Sequence, residues 1–348
     1  MVNLRLLHVL KNLEIGGIQR TSITYLNEIK GAAQFIGIFS PKGIYYNSGF
    51  ISSGITFINS LAPVNLFLMF ILIPRLFFVL MKYKINTIHY HHRVYILFIY
   101  LVKIFAPKIR IIYTHHSVYN DKINRFLYAN QFVAISEETK KELILNRKGN
   151  IHLIPHGIKI DELKKVNICE KIRTIGYIGR FDLIKGIFTL LDAFLLMIKK
   201  YPDLKLELHG DGKQKNEIIN FIASHNLLNN VFLTKPEYLL ERIYEGVDLL
   251  VVPSISLEGF GLVIIEAMSF GIPVVVSDLP VFLETIINFK TGLVFEHNNP
   301  VDLRNKIIEI VEDEELRSTI ILNAYSLVVK DFNLQKSISK YLQLLTDN

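Results

Sequence analysis

The sequence predicts an α/β protein made of two tandem, doubly wound parallel-sheet domains. Three observations lead there. The chain has 348 residues, half of them hydrophobic, which is enough for two separate cores. Short apolar runs alternate with helix-period runs along its length, as in a parallel sheet wrapped by helices. The alternation pauses at Pro155-His156-Gly157 and then restarts.

In the first half, Leu4–Leu10 reads as a strand, followed by a turn over Asn12–Gly17 and a helix over Ile18–Ile29. Strands follow at Phe35–Phe39, Ile55–Ile58 and Thr87–Tyr90, with helices at Val64–Lys82 and Val94–Phe105. Arg110–Tyr113 and Phe132–Ile135 are strands. Ser136 then opens Ser-Glu-Glu-Thr, a helix cap with two carboxylates in the first turn. Ile151–Ile154 closes the half.

The second half starts with a polar linker, Lys159–Lys171, then a strand over Ile172–Ile178 and a helix over Gly186–Lys200. Further strands are expected at Leu204–Leu208, Val231–Leu233, Leu249–Val252, Pro273–Val276 and Leu293–Phe295, with helices between them. Beyond these the chain is helical. The domains are therefore expected over 1–158 and 159–330, with a C-terminal helix, 331–348, packing back towards the first domain. Ligands of such sheets gather at the carboxyl ends of the strands.

A single cysteine, Cys169, excludes a disulfide framework and fits a reducing compartment. Met1–Leu10 lacks the character of a cleavable leader, because Arg5 interrupts its apolar run. Leu66–Met81 carries Pro74 and Arg75 at its middle, and Val94–Phe105 is short with Lys103 inside. Neither offers the run of about 20 apolar residues that a spanning helix needs.

Charge is distributed unevenly. Residues 1–158 hold 18 Lys and Arg against 6 Asp and Glu, whereas 159–348 hold 21 against 26. No acidic residue occurs from Ile29 to Asn120, a stretch with nine cations and 18 of the 39 aromatic residues. Basic and aromatic side chains interleaved in this way suit an anionic membrane surface. A peripheral, cytoplasmic protein at the inner membrane face is the expectation, and nucleic acid is not an expected partner.

Several motifs are missing: a G-x-G-x-x-G after a strand, G-x-x-x-x-G-K-[ST], G-x-S-x-G, H-E-x-x-H and any D-x-D pair. What is present suits a bound anion. Gly16-Gly17 lies between the first strand and its helix, where a phosphate approaches backbone amides. Gly179-Arg180-Phe181-Asp182-Leu183-Ile184-Lys185-Gly186 follows the first strand of the second half, placing a fork donor and a point cation at a strand end. In Pro253–Met268, Glu258 precedes Gly259-Phe260-Gly261, which leads into a helix containing Glu266. A carboxylate among Leu262, Val263, Ile264 and Ile265 calls for a partner.

On these residues the sequence resembles the retaining glycosyltransferases of family 4, with GT-B architecture: two Rossmann-like domains facing a cleft. The resemblance rests on Glu258…Glu266 within its surrounding motif, Gly179–Gly186, Gly210-Asp211-Gly212, Ile154–Ile158 and Gly16-Gly17. It implies transfer of a sugar from a nucleotide-diphosphate donor to a hydroxyl acceptor, with the anomeric configuration retained and no metal or other cofactor. The implied acceptor is lipid-linked or a saccharide precursor. By the same resemblance, Arg180 and Lys185 hold the diphosphate, with Gly16 and Gly17 amides approaching it, and Glu266 binds the ribose. Glu258, with the amides of Phe260, Gly261 and Leu262, holds the sugar and the diphosphate.

The resemblance also implies a histidine after a mid-domain strand of the first half; with Thr114-His115-His116 read as T-x-H, it places His116 beside the donor sugar, with His115 as the alternative. His89, His91 and His92 form another histidine group, in which strand alternation separates His92 from the other two. A catalytically inactive scaffold at a membrane surface is the competing functional reading.

Overall fold

The computed structural model describes residues 3–60, 68–119, 121–146, 148–160, 168–235, 237, 239–256 and 258–346. The start of the expected Val64–Lys82 helix, most of the expected linker, Pro236 and Leu257 lie outside these. The chain folds as two compact units. One comprises Met1–Gly157 with Gln335–Asn348, the other Ile158–Leu334.

The first unit is built on seven strands: β1 (Arg5–Val9), β2 (Phe35–Ser40), β3 (Ile55–Asn59), β4 (Thr87–Tyr90), β5 (Arg110–His115), β6 (Gln131–Ala134) and β7 (Ile151–Leu153). All pairs are parallel, in the order β3-β2-β1-β4-β5-β6-β7. A strand covered on both faces must be apolar throughout, which is why these segments read as continuous hydrophobic runs. Ser136 caps the Glu137–Leu145 helix as expected: its hydroxyl accepts from Thr139 N (3.1 Å), and Thr139 Oγ1 accepts from Ser136 N (3.0 Å). The C-terminal Leu334–Thr346 helix supplies residues to this unit. Arg110 Nη1, for instance, donates to Leu345 O at 3.0 Å.

The second unit has six strands: β8 (Thr174–Ile178), β9 (Lys205–His209), β10 (Val231–Thr234), β11 (Leu249–Val252), β12 (Val274–Ser277) and β13 (Leu293–Phe295). They too are all parallel, in the order β10-β9-β8-β11-β12-β13. In both sheets the order reverses beside the first strand, at β1/β4 and at β8/β11. A doubly wound sheet opens a crevice for ligands at such a switch point. Its core joins strand residues such as Ile175, Leu206 and Val251 to Leu190, Phe194, Leu303 and Ile307 of the covering helices. No described helix is long and apolar enough to cross a membrane.

Candidate functional site

In the second unit, the turn after β8 is fixed by backbone contacts. Gly179 N donates to His209 O (3.0 Å) and Phe181 N to Asp211 O (2.9 Å), tying it to the loop after β9. On the other side Ile255 N donates to Ile184 O (2.9 Å), tying it to the loop after β11. Gly186 makes that second junction possible. Its φ is +64°, and a Cβ there would lie 1.8 Å from Pro253 O.

This junction brings together side chains 73 positions apart in sequence. Lys185 Nζ lies 2.5 Å from Glu258 Oε1, and Ser254 Oγ donates to the same oxygen at 2.6 Å. Both charged side chains are largely covered, so the pair is a fixed feature. Arg180, by contrast, extends into solvent with its side chain 69% exposed, held by Asp182 at 2.7 Å. The two expected cations thus occupy one turn, each beside a carboxylate. An anion arriving there meets a positioned ammonium and a guanidinium with spare donors.

The same loop ends in a helix N-terminus. Gly261, at φ +83°, precedes the Leu262–Ser269 helix, and no side chain caps it. Its first amides therefore lack intrahelical partners at the positive end of the helix dipole. Phe260 is buried, edge-on to Phe332. Glu266 is only 2% exposed, and its Oε2 lies 2.9 Å from the Tyr244 hydroxyl. Tyr244 was not visible as a partner in the sequence, since only the folded chain brings it to Glu266.

Substitution of Gly186 tests how rigid this arrangement is. Gly186→Ala adds the left-handed backbone penalty of about 1 kcal/mol and an overpacking cost of about 1–3 kcal/mol. A thermal melt is expected to shift down by roughly 5–15 °C, given about 2–4 °C per kcal/mol for a domain of this size. An unchanged melt would mean that the two loops do not touch as described.

In the first unit, Gly16 is extended, and Gly17 begins the Gly17–Ile29 helix just beyond the carboxyl end of β1, again without a side-chain cap. The neighbouring β1/β4 switch point is occupied by imidazoles. Parallel pairing sets His8 opposite His89, and alternation places His91 with them. His92 is directed elsewhere, its Nδ1 accepting from Val94 N at 3.1 Å. His8, His89 and His91 bring ring nitrogens within 4.8 Å of one another, close enough for a metal. However, all six of their nitrogens already bond to protein groups.

The two adjacent histidines after β5 diverge. His115 is fully buried on one face, 2.9 Å from Glu142, whose carboxylate also accepts from Tyr119 N. His116 lies on the other face with Thr114. Its Nε2 meets His91 Nδ1 at 2.9 Å, and its ring stacks on His156. Burial lowers His8 to about 3 and His156 to about 4, and holds His89, His91 and His116 well below the usual histidine range.

The fold is of the GT-B class, two tandem parallel-sheet units of Rossmann-like type. Two family models match in succession, glycosyltransferase family 4 over residues 49–162 and glycosyl transferases group 1 over residues 159–327. The chain belongs to these glycosyltransferases. It is 32% identical over 194 residues to an uncharacterized glycosyltransferase of Methanocaldococcus jannaschii, covering 55% of this chain and 52% of that protein. To a poly(ribitol-phosphate) alpha-N-acetylglucosaminyltransferase of Staphylococcus aureus it is 30% identical over 246 residues, covering 66% and 48%. The chain thus spans about half the length of either relative. Among solved structures, Anabaena HepE in complex with UDP and glucose superposes with a TM-score of 0.85 at 18% identity, covering 99% of this chain and 100% of that one. At that identity the likeness is one of fold.

Proposed function

We propose that the chain transfers a sugar from a nucleotide-diphosphate donor to a hydroxyl acceptor, retaining the anomeric configuration and using no divalent metal. The observation that carries this reading is the cation pair Arg180 and Lys185 at the β8 end, beside Glu258 and the uncapped 262–269 helix. Such a cluster stabilises the charge that develops on a leaving diphosphate, the electrostatic term that usually dominates. The acceptor hydroxyl attacks the face of the anomeric carbon from which the diphosphate leaves. Amides of Phe260, Gly261 and Leu262 bind the diphosphate, Glu258 orients the sugar and Glu266 takes the ribose hydroxyls. In the first unit Gly16 and Gly17 offer backbone amides to phosphate, and His116 meets a sugar hydroxyl.

The test is a panel of nucleotide sugars, screened by thermal shift and then by diphosphate release, with product configuration read by NMR. Stabilisation by a donor and an unchanged rate in chelator are expected. No donor binding at all would leave the scaffold reading standing. Inversion would remove the retaining mechanism, and chelator inactivation reversed by Mg²⁺ would remove metal independence.

The acceptor we propose is a lipid-linked or polysaccharide precursor, met at the inner face of the membrane. In support, Phe70, Ile71, Phe78 and Met81 of the Met69–Lys82 helix, and Ile104 and Phe105 of the Ile96–Phe105 helix, are exposed in the most basic part of the chain. The name of the Staphylococcus aureus relative, with its polymeric acceptor, points the same way. Co-sedimentation with liposomes is expected to be stronger with anionic than with zwitterionic lipid, and to weaken in Phe78→Ser/Phe105→Ser. Equal recovery with both lipids would contradict it.

A further inference from the structure

The imidazoles at the β1/β4 switch point form one unbranched chain. Thr114 Oγ1 meets His89 Nε2 at 2.7 Å, and His89 Nδ1 meets the Tyr341 hydroxyl at 2.5 Å. That hydroxyl meets His8 Nε2 at 2.9 Å, and His8 Nδ1 meets His91 Nε2 at 3.0 Å. His91 Nδ1 meets His116 Nε2 at 2.9 Å, and there the chain ends, because no described protein group bonds His116 Nδ1.

Each link holds a single hydrogen, and each neutral ring owns one hydrogen and one lone pair. Burial keeps these rings neutral and the Tyr341 phenol protonated. The Tyr341 hydroxyl could accept from both of its rings only by leaving its own buried hydrogen unpaired, so the links all point the same way. In one direction His116 Nδ1 carries a hydrogen with no protein acceptor. In the other it carries a bare lone pair, and every hydrogen points towards Thr114, whose hydroxyl can rotate. An orphaned buried N–H is rarer in proteins than an under-satisfied acceptor, so the second direction is favoured.

We infer that His8, His89, His91 and Tyr341 are positioning residues that fix His116 as the Nε2–H tautomer and so present its Nδ1 as an acceptor to a ligand hydroxyl. The hydroxyl-bearing ligand rests on the sugar-transfer reading above; the tautomer does not. In this direction His116 Nε2–H donates to His91, His91 to His8, and His8 to Tyr341. Tyr341 in turn donates to His89, and His89 to Thr114. A group contributed by the C-terminal helix thereby sets the hydrogen-bonding sense of a ring three links away.

The experiment is a two-bond ¹H–¹⁵N correlation on ¹⁵N-histidine-labelled full-length protein near pH 7.5, with His116 assigned from His116→Gln. Wild type is expected to show one His116 tautomer, protonated at Nε2. Tyr341→Phe cuts the chain in the middle and leaves the His8–His91–His116 portion with equal orphans in either direction. A mixed His116 tautomer is expected there, both forms populated to within several-fold. Should Tyr341→Phe fail to fold, Thr114→Val removes the far terminus, with the same mixing expected. An Nδ1–H tautomer in wild type, or one unchanged tautomer in the folded variant, would overturn the inference. No donor is needed for this measurement, so its failure is distinct from failure of the transfer assay.

Discussion

Between pH 7.5 and pH 5 the first unit is expected to lose most of its stability. His8, His89, His91, His116 and His156 all titrate well below 6.5 when folded, because burial disfavours the cation, and His92 is lowered to about 4. The unfolded chain regains ordinary histidines and binds the protons that the folded one refuses. The stabilisation is complete above pH 6.5 and is lost as the pH falls from there towards the lowered folded values. Each such histidine contributes a slope of about 1.4 kcal/mol per pH unit, so three of them already give about 4. Over the fall to pH 5 three rings give about 6 kcal/mol and the remaining ones add to it, which removes most of a typical stability of about 5–15 kcal/mol. Denaturant unfolding read by hydrogen exchange, resolved onto residues of each unit, measures it. Equal midpoints for the first unit at pH 7.5 and pH 5 would show that these rings are not buried and neutral.

Lys185→Ala is expected to lower turnover by about a hundredfold or more, the usual cost of removing one donor to a developing anion. Its effect is doubled in kind by the 2.5 Å contact with Glu258. Without the ammonium, the largely covered Glu258 carboxyl loses its cationic partner, and an arriving diphosphate meets its oxygens in place of the Lys185 donor. Arg180→Ala is expected to fall by a similar factor for a simpler reason. Its guanidinium is solvent-exposed and paired with Asp182, so its removal deletes a donor without stranding a buried charge. Initial rates at saturating donor, with melting temperatures as a folding check, test both. Wild-type turnover in the two variants would dismiss the assigned roles.

Strands were legible because burial on both faces leaves an uninterrupted apolar signature, as in Leu249–Val252. Their ends were less so. β5 continues through Thr114 and His115, polar residues that pair with Val133 and Ala134 of the next strand. The helix expected to reach Lys200 ends at Met197. Local motifs singled out Arg180, Lys185, Glu258, Gly261 and Glu266, and the structure brings Lys185 and Glu258 into contact. Motifs could not show that Lys185 and Glu258 share a hydrogen, or that Tyr244 covers Glu266, because those contacts depend on which strands become neighbours. The histidines show the same limit more sharply. H-x-H spacing placed His89 and His91 on one face, whereas His8 joins them only through the β1/β4 register, and Tyr341 from 333 positions away.

Because Gln335–Thr346 belongs to the first unit, the second is inserted within it in the order of synthesis. A ribosome finishes the 158–334 unit while the earlier one still lacks its final helix. Until that segment emerges, His8 and His89 have no Tyr341 to bond, so the unit that begins earlier in the chain is completed later. A nonsense mutation or protease cut ahead of residue 335 would therefore damage the amino-terminal unit and spare the carboxyl-terminal one.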